Sequence, residues 1–181
     1  KRYSREELII QNNNEVKMIK KLLITSIALY VAFAGIRGCQ AVRSPETKQV
    51  ISYLESTAYL GQKVNEDHPE FFHEIKKDSS LEDETENIDD LIRAKETGSA
   101  LRWGAILVGE AKDRRYSSSI KTAGMEITSR HPTYFLGLAT QDKEALKHIG
   151  NIAKLEPSYE KNVSSLACKV KRSYIPWKTC K

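Results

Sequence analysis

The sequence predicts an all-α protein in which a helical-hairpin array follows a single N-terminal membrane-spanning helix. Two observations predict the array: apolar residues recur at i, i+3, i+4 and i+7 through successive stretches after Ser44, and prolines or glycines fall between those stretches. A third predicts the membrane helix. Leu22 to Ile36 is fifteen residues without a charge, bounded by Lys20 and Lys21 before it and Arg37 after it.

Residues 1–17 are polar and mixed in charge, and Asn12 to Asn14 discourage a long helix, so they read as a flexible extension. Residues 18–38 hold the anchor candidate. At a rise of about 1.5 Å per residue the uncharged run spans roughly 22 Å, short of a hydrocarbon core of roughly 30 Å. Met18 and Ile19 lengthen it, and the flanking Lys and Arg side chains can snorkel to the interface. Two other readings share these residues. A signal sequence starting at Met18 would give an exported or lipidated binding protein, processed near Ala34 after Ala32-Phe33-Ala34 or at Cys39. A buried core helix is the other.

Residues 44–97 read as a helical, acidic segment. Ser44-Pro45-Glu46 is a helix start, with Ser at the cap, Pro in the first turn and Glu at the positive end of the dipole. That helix is expected to run to about Val64 and to bury Val50, Leu54, Ala58 and Leu60. A short helix from about Glu70 to Lys77 packs Phe71, Phe72 and Ile75. His68 and His73 flank Glu70 as a surface pair; HExxH spacing is absent, so no metal site is expected. Ser80 is expected to cap a third helix with Ile88, Leu91 and Ile92 on its apolar face, and Gly98 to end it in a left-handed cap.

Residues 99–172 read as the hairpin repeats. Ser99 opens a helix whose expected apolar face is Leu101, Trp103, Ile106, Leu107 and Val108, with Trp103 as a core residue. Asp113-Arg114-Arg115 is the turn, and Tyr116, Ile120, Ala123 and Ile127 form the stripe of the returning helix, which Pro132 stops. Ser117 to Ser119 fit cap chemistry better than a nucleophile. Thr133 to Ala139 is a short apolar segment. Asp142 to Arg172 carries two stripes: Ala145, Ile149, Ile152 and Ala153, then Tyr159, Val163, Leu166, Ala167 and Val170. Pro157 is expected to break the chain between them. Two units of helix, turn, helix and proline result, Ser99 to Pro132 and a shortened Thr133 to Pro157. The thirty-four residues of the first match the tetratricopeptide period. Residues 173–181 form a tail in which Tyr174, Ile175 and Trp177 fold onto the last helix.

LRWGAILVGEAKD (Leu101 to Asp113) and KEALKHIGNIAKLEPSYEKN (Lys143 to Asn162) together resemble the tetratricopeptide-like region of the regulator of microtubule dynamics family. The resemblance implies a helical-repeat fold, an N-terminal membrane anchor as in some members, and a role in tethering organelles or binding lipid. No functional residue carries across.

The net charge of +5 hides an asymmetry. Glu66 to Asp90 holds eleven Asp and Glu against Lys76 and Lys77, whereas Ala94 to the C-terminus holds sixteen Lys and Arg against eight Asp and Glu. The basic half attracts acidic partners, anionic lipid or acidic protein, and its candidate interaction surface is Arg102, Arg114, Arg115, Lys169, Lys171, Arg172 and Trp177. No aromatic RNA-binding motif or helix-turn-helix pattern points to nucleic acid. Three cysteines without CxxC spacing, Cys39, Cys168 and Cys180, leave open whether the last two pair or stay free. GxSxG, GxxxxGK[ST] and GxGxxG motifs are absent, so neither catalytic residues nor a cofactor is expected from motifs, and an enzyme would need residues distant in sequence. The sequence therefore favours a membrane-anchored helical scaffold or accessory subunit. Its partners are other protein subunits, and membrane lipid through Leu22–Ile36 and the basic C-terminal half. A single-pass mitochondrial membrane location is favoured, with the bacterial envelope or secretory pathway as alternatives.

Overall fold

The structure, a computed structural model, describes residues 20–30, 43–175, 177, 179 and 180. The chain divides into two units, Lys1–Gln40 and Ala41–Lys181. In the first, residues 20–30 form a helix, α1. Residues 1–17, the parts of the anchor candidate at 18–19 and 31–38, and the candidate processing points near Ala34 and at Cys39 lie outside the described residues. Among the described residues no helix is long and apolar enough to cross a membrane.

The second unit is built from α2 (Pro45–Asp67), α3 (Pro69–Lys76), α4 (Glu82–Thr97), α5 (Ala100–Asp113), α6 (Arg115–Arg130), α7 (Pro132–Gln141) and α8 (Lys143–Tyr174). No strand occurs among the described residues, so the all-α expectation holds. Local chemistry sets most boundaries. The Ser44 hydroxyl accepts from Thr47 N and the Ser99 hydroxyl from Arg102 N, each satisfying a helix N–H that has no carbonyl partner. Gly98 ends α4 at φ 57°, a left-handed conformation that costs a residue without a Cβ little. Pro69 and Pro132 sit in the first turns of α3 and α7, where a missing N–H loses nothing. Ser80 does not cap α4. It lies in the preceding turn, where its N–H and hydroxyl both donate to Asp78.

The largest departure from the sequence reading is α8. Pro157 does not break it, and Asp142–Arg172 is one helix, not a hairpin. The proline removes one donor, and the Ala153 carbonyl it strands lies, like Pro157 itself, on the exposed side, where water can take the lost bond. The inner side never pauses: Ala145, Ile149, Ile152, Glu156, Tyr159, Val163, Leu166 and Val170 alternate spacings of three and four straight through the proline. The two stripes are one, and α2 packs along it. The second repeat unit therefore has no boundary at Pro157.

Around the α2–α8 pair, α4 packs on α2 and α6, α5 on α8, and α7 on α8. Val50, Leu54 and Ala58 of α2, Leu91 of α4 and Leu166 of α8 are fully or almost fully buried. Each such Leu stabilises the fold by roughly 1.5–3 kcal/mol relative to exposure. The stripes expected for α3, α4 and α6 are all buried. That of α5 is corrected. Leu101 (88% exposed) and Val108 face outward, and Trp103, Ile106, Leu107, Glu110 and Ala111 face in, Trp103 only half-buried.

Candidate functional site

The second unit carries an apolar groove of about 860 Å³. Its floor is α2 (Leu60, Gly61 and Val64), with Ile88 of α4 beneath; α6 and α7 form one side, and α8 contributes Ile149 and Ile152 to the other. Two features of the sequence shape it. Gly124 leaves open space where a Cβ would stand, and Gly61 lets α2 and α4 close up, since a Cβ there would come within 2.9 Å of Ile88 Cγ2. The lip is open to solvent, with Met125 (73% exposed) and Leu136 (67%) on α6 and α7 both lining the groove. Such apolar area left in water at a concavity marks an interaction surface.

Charge enters at Tyr53, Lys121 and Glu156, which line the groove together. Glu156 takes the place on the α8 stripe that an apolar residue would hold. Its carboxylate accepts from the Tyr53 hydroxyl at 2.5 Å and pairs with Lys121 at 2.5 Å. Burial pushes the Glu156 pKa up, but the Lys121 and Tyr53 hydrogen bonds outweigh it and hold the group below the ordinary carboxylate value. The Tyr53 pKa is raised, first by burial and then by Glu156.

Behind Tyr53 its ring meets that of Tyr159, with centroids 4.1 Å apart. Beyond it lies Glu110, fully buried on α5. One Glu110 oxygen accepts from Ser117 N at 3.0 Å, capping α6 where the helix dipole favours an anion. Glu110, not the serine run, thus supplies the α6 cap. The other Glu110 oxygen and the Tyr159 hydroxyl are buried without a well-formed hydrogen bond. Burial, followed by the Glu110 charge, pushes the Tyr159 pKa well up.

Family models, curated proteins and solved structures offer no match to this chain. The site is therefore read from its own chemistry.

The seven residues singled out from the sequence do not form one surface. Arg114, the turn residue at φ 50°, bonds Glu160 and Ser164 of α8. Arg115 lies over the Tyr116 ring and donates to its hydroxyl, which raises the Arg115 pKa. Arg102 is half-buried in the first turn of α5. Lys169 pairs with Glu46 at 2.7 Å, a bond that, with a backbone hydrogen bond and Ser44, brings the Glu46 pKa down to about 2. Lys171 and Arg172 are exposed in the last turn of α8, and Trp177, beyond the helix, is 83% exposed. Cys168 and Cys180 are joined by a disulfide. His68 stacks on Phe71 and bonds Glu70, His73 is exposed, and no group of metal-binding side chains occurs among the described residues. The groove was missed because its residues come from six helices. One signal was available: a glutamate on an otherwise apolar stripe, at Glu156.

Proposed function

We propose that this chain is a helical binding module working at a membrane, whose apolar groove receives the apolar face of an acidic amphipathic helix from a partner protein. The open apolar groove between α6, α7 and α8 is the observation that carries this reading. A small-molecule site would enclose its ligand and orient it with convergent polar groups. Here the lip is open, and the charged groups that line the groove, Lys121 and Glu156, are paired with each other. Helix-in-groove recognition needs only apolar anchors, and an exposed methionine such as Met125 adapts to them. The sides belong to the basic half of the chain, which favours an acidic polar face on the guest.

The membrane half of the proposal rests on Leu22–Ile36. Within α1, the hydroxyls of Thr25 and Ser26 donate to the carbonyls of Lys21 and Leu22, so neither needs a partner from outside the helix. The Cys168–Cys180 disulfide favours an oxidising compartment for the folded unit. It supports the intermembrane space, the secretory lumen or a bacterial envelope over the cytosol. The tetratricopeptide-like resemblance remains an expectation about the α5–α6 hairpin and its neighbours.

The test is a titration of the full chain with a labelled acidic amphipathic model helix, read by fluorescence anisotropy. Gly124→Leu fills open space in the groove and is expected to weaken binding at least about ten-fold, while the wild-type chain binds saturably. If a long-chain fatty acid binds and the helix does not, the site is a lipid site and the partner-helix reading fails. Carbonate extraction of membranes checks the anchor separately.

A further inference from the structure

The end of α8 and the chain beyond it carry an exposed aromatic feature that the groove does not use. Tyr174 and Ile175 end α8 at 55% and 39% exposure, and Trp177 follows at 83%. Two aromatic side chains more than half in water and a partly exposed isoleucine within four residues run against the usual tendency of a helix end to fold its apolar residues inward. They are not simply a loose end. The Cys168–Cys180 disulfide closes a loop of chain on α8 with Trp177 inside it, so the aromatic residues are presented by a covalently restrained element. Lys171 and Arg172 are exposed on the turn of α8 just before them.

We propose that this disulfide-closed C-terminal loop, with Trp177, Ile175 and Tyr174 beside Lys171 and Arg172, docks into the interface of an anionic phospholipid bilayer. Trp and Tyr suit the headgroup level because each has an apolar body and a polar tip. Cations beside them are drawn to the negative surface potential of the bilayer. The two cations are the charge complement of an anionic headgroup layer, and the aromatic pair needs no matching pocket there. That a bilayer is within reach rests on the membrane reading above; the chemistry of the loop stands apart from it.

The experiment uses the full chain carrying Trp103→Phe, so that Trp177 is the sole tryptophan, with phosphatidylcholine vesicles made with or without phosphatidylglycerol. Flotation reports membrane attachment of the chain, and Trp177 emission with brominated-lipid quenching reports the loop. The expected result is a blue-shifted Trp177 that brominated lipid quenches in the anionic vesicles and much less in the neutral ones. Lys171→Glu with Arg172→Glu should lower apparent loop occupancy by more than about ten-fold while the chain still floats through Leu22–Ile36. Cys180→Ser should weaken quenching as well, by freeing the loop. If the chain floats but Trp177 keeps a water-like emission and is as open to acrylamide as without vesicles, the loop proposal is overturned and the anchor reading survives. If Trp177 is quenched by lipid in a chain whose Leu22–Ile36 segment resists carbonate extraction poorly, the loop proposal stands and the anchor reading falls.

Discussion

Tyr53 and Tyr159 meet ring to ring at a tilt in the core, 2% and 5% exposed, yet the same substitution is expected to act differently at the two sites. Both Tyr→Phe changes keep the ring and remove one hydroxyl, so the packing is unchanged to first order and the difference isolates hydrogen bonding. The Tyr53 hydroxyl donates to a carboxylate, and a hydrogen bond to a charged group contributes about 1.5–3 kcal/mol. Glu156 is about a third exposed and keeps Lys121 as a second partner, which reduces the expected loss for Tyr53→Phe to about 1–2 kcal/mol. The Tyr159 hydroxyl is buried without a well-formed hydrogen bond; it approaches the Glu110 carboxylate but not in bonding geometry, so its solvation is lost on folding with little compensation. Tyr159→Phe is therefore expected to be neutral or to stabilise by up to about 1 kcal/mol.

Urea unfolding followed by circular dichroism measures both, with midpoints compared at equal m-value. A second readout is alkaline pH. Both tyrosines are held above their ordinary value of 10.0, so their contribution is fully present below pH 10 and is lost as the pH rises through the higher folded values. Tyr159→Phe should flatten that alkaline loss. A destabilisation above about 1 kcal/mol for Tyr159→Phe would show that the hydroxyl is bonded to Glu110 after all, and the contrast with Tyr53 would collapse.

Other expectations follow from packing and titration. Gly150→Ala, where an added Cβ meets nothing, should gain about 0.5–1 kcal/mol of helix stability, while Gly61→Ala should lose up to about 2 because its Cβ meets the branched Ile88; thermal melts of the two variants decide. Leu166→Ala should cost about 2–5 kcal/mol and Trp103→Ala only about 1–3, since Trp103 is half-buried; similar losses by urea unfolding would mean that Trp103 is more central to the core than its exposure says. His148 stacks on Tyr59, bonds Ser56 and has its pKa lowered by burial, so the unfolded chain takes up its proton first and stability falls as the pH drops below 6.5. His148→Gln should reduce that fall between about pH 7.5 and about pH 5.5, measured as the change in urea midpoint, and an unaltered slope would count against the burial argument.

The amino-acid sequence alone determined the class of fold and most of its punctuation. Helix starts and ends follow from groups only a few residues apart, such as Ser44, Ser99, Gly98 and Pro132, and those could be read directly. Single-helix stripes such as Tyr116, Ile120, Ala123 and Ile127 were equally legible, because one face of one helix is a local pattern. Tertiary structure decided the rest. A proline is destabilising in any isolated helix, and only continuous burial on the opposite side of α8 keeps Pro157 within one. Glu110 looks like a solvated charge in sequence and Glu156 only like an interruption of an apolar stripe, and packing puts one at the α6 cap and the other beside Tyr53 and Lys121. The groove has no counterpart in any one stretch, since six helices line it and the space exists only once α7 and α8 have closed on α2 and α6. The basic residues show the same division. Their number is a property of the sequence, but folding pairs Arg114 and Lys169 with carboxylates and leaves Lys171 and Arg172 exposed in the last turn of α8, before the disulfide-closed segment that carries Trp177.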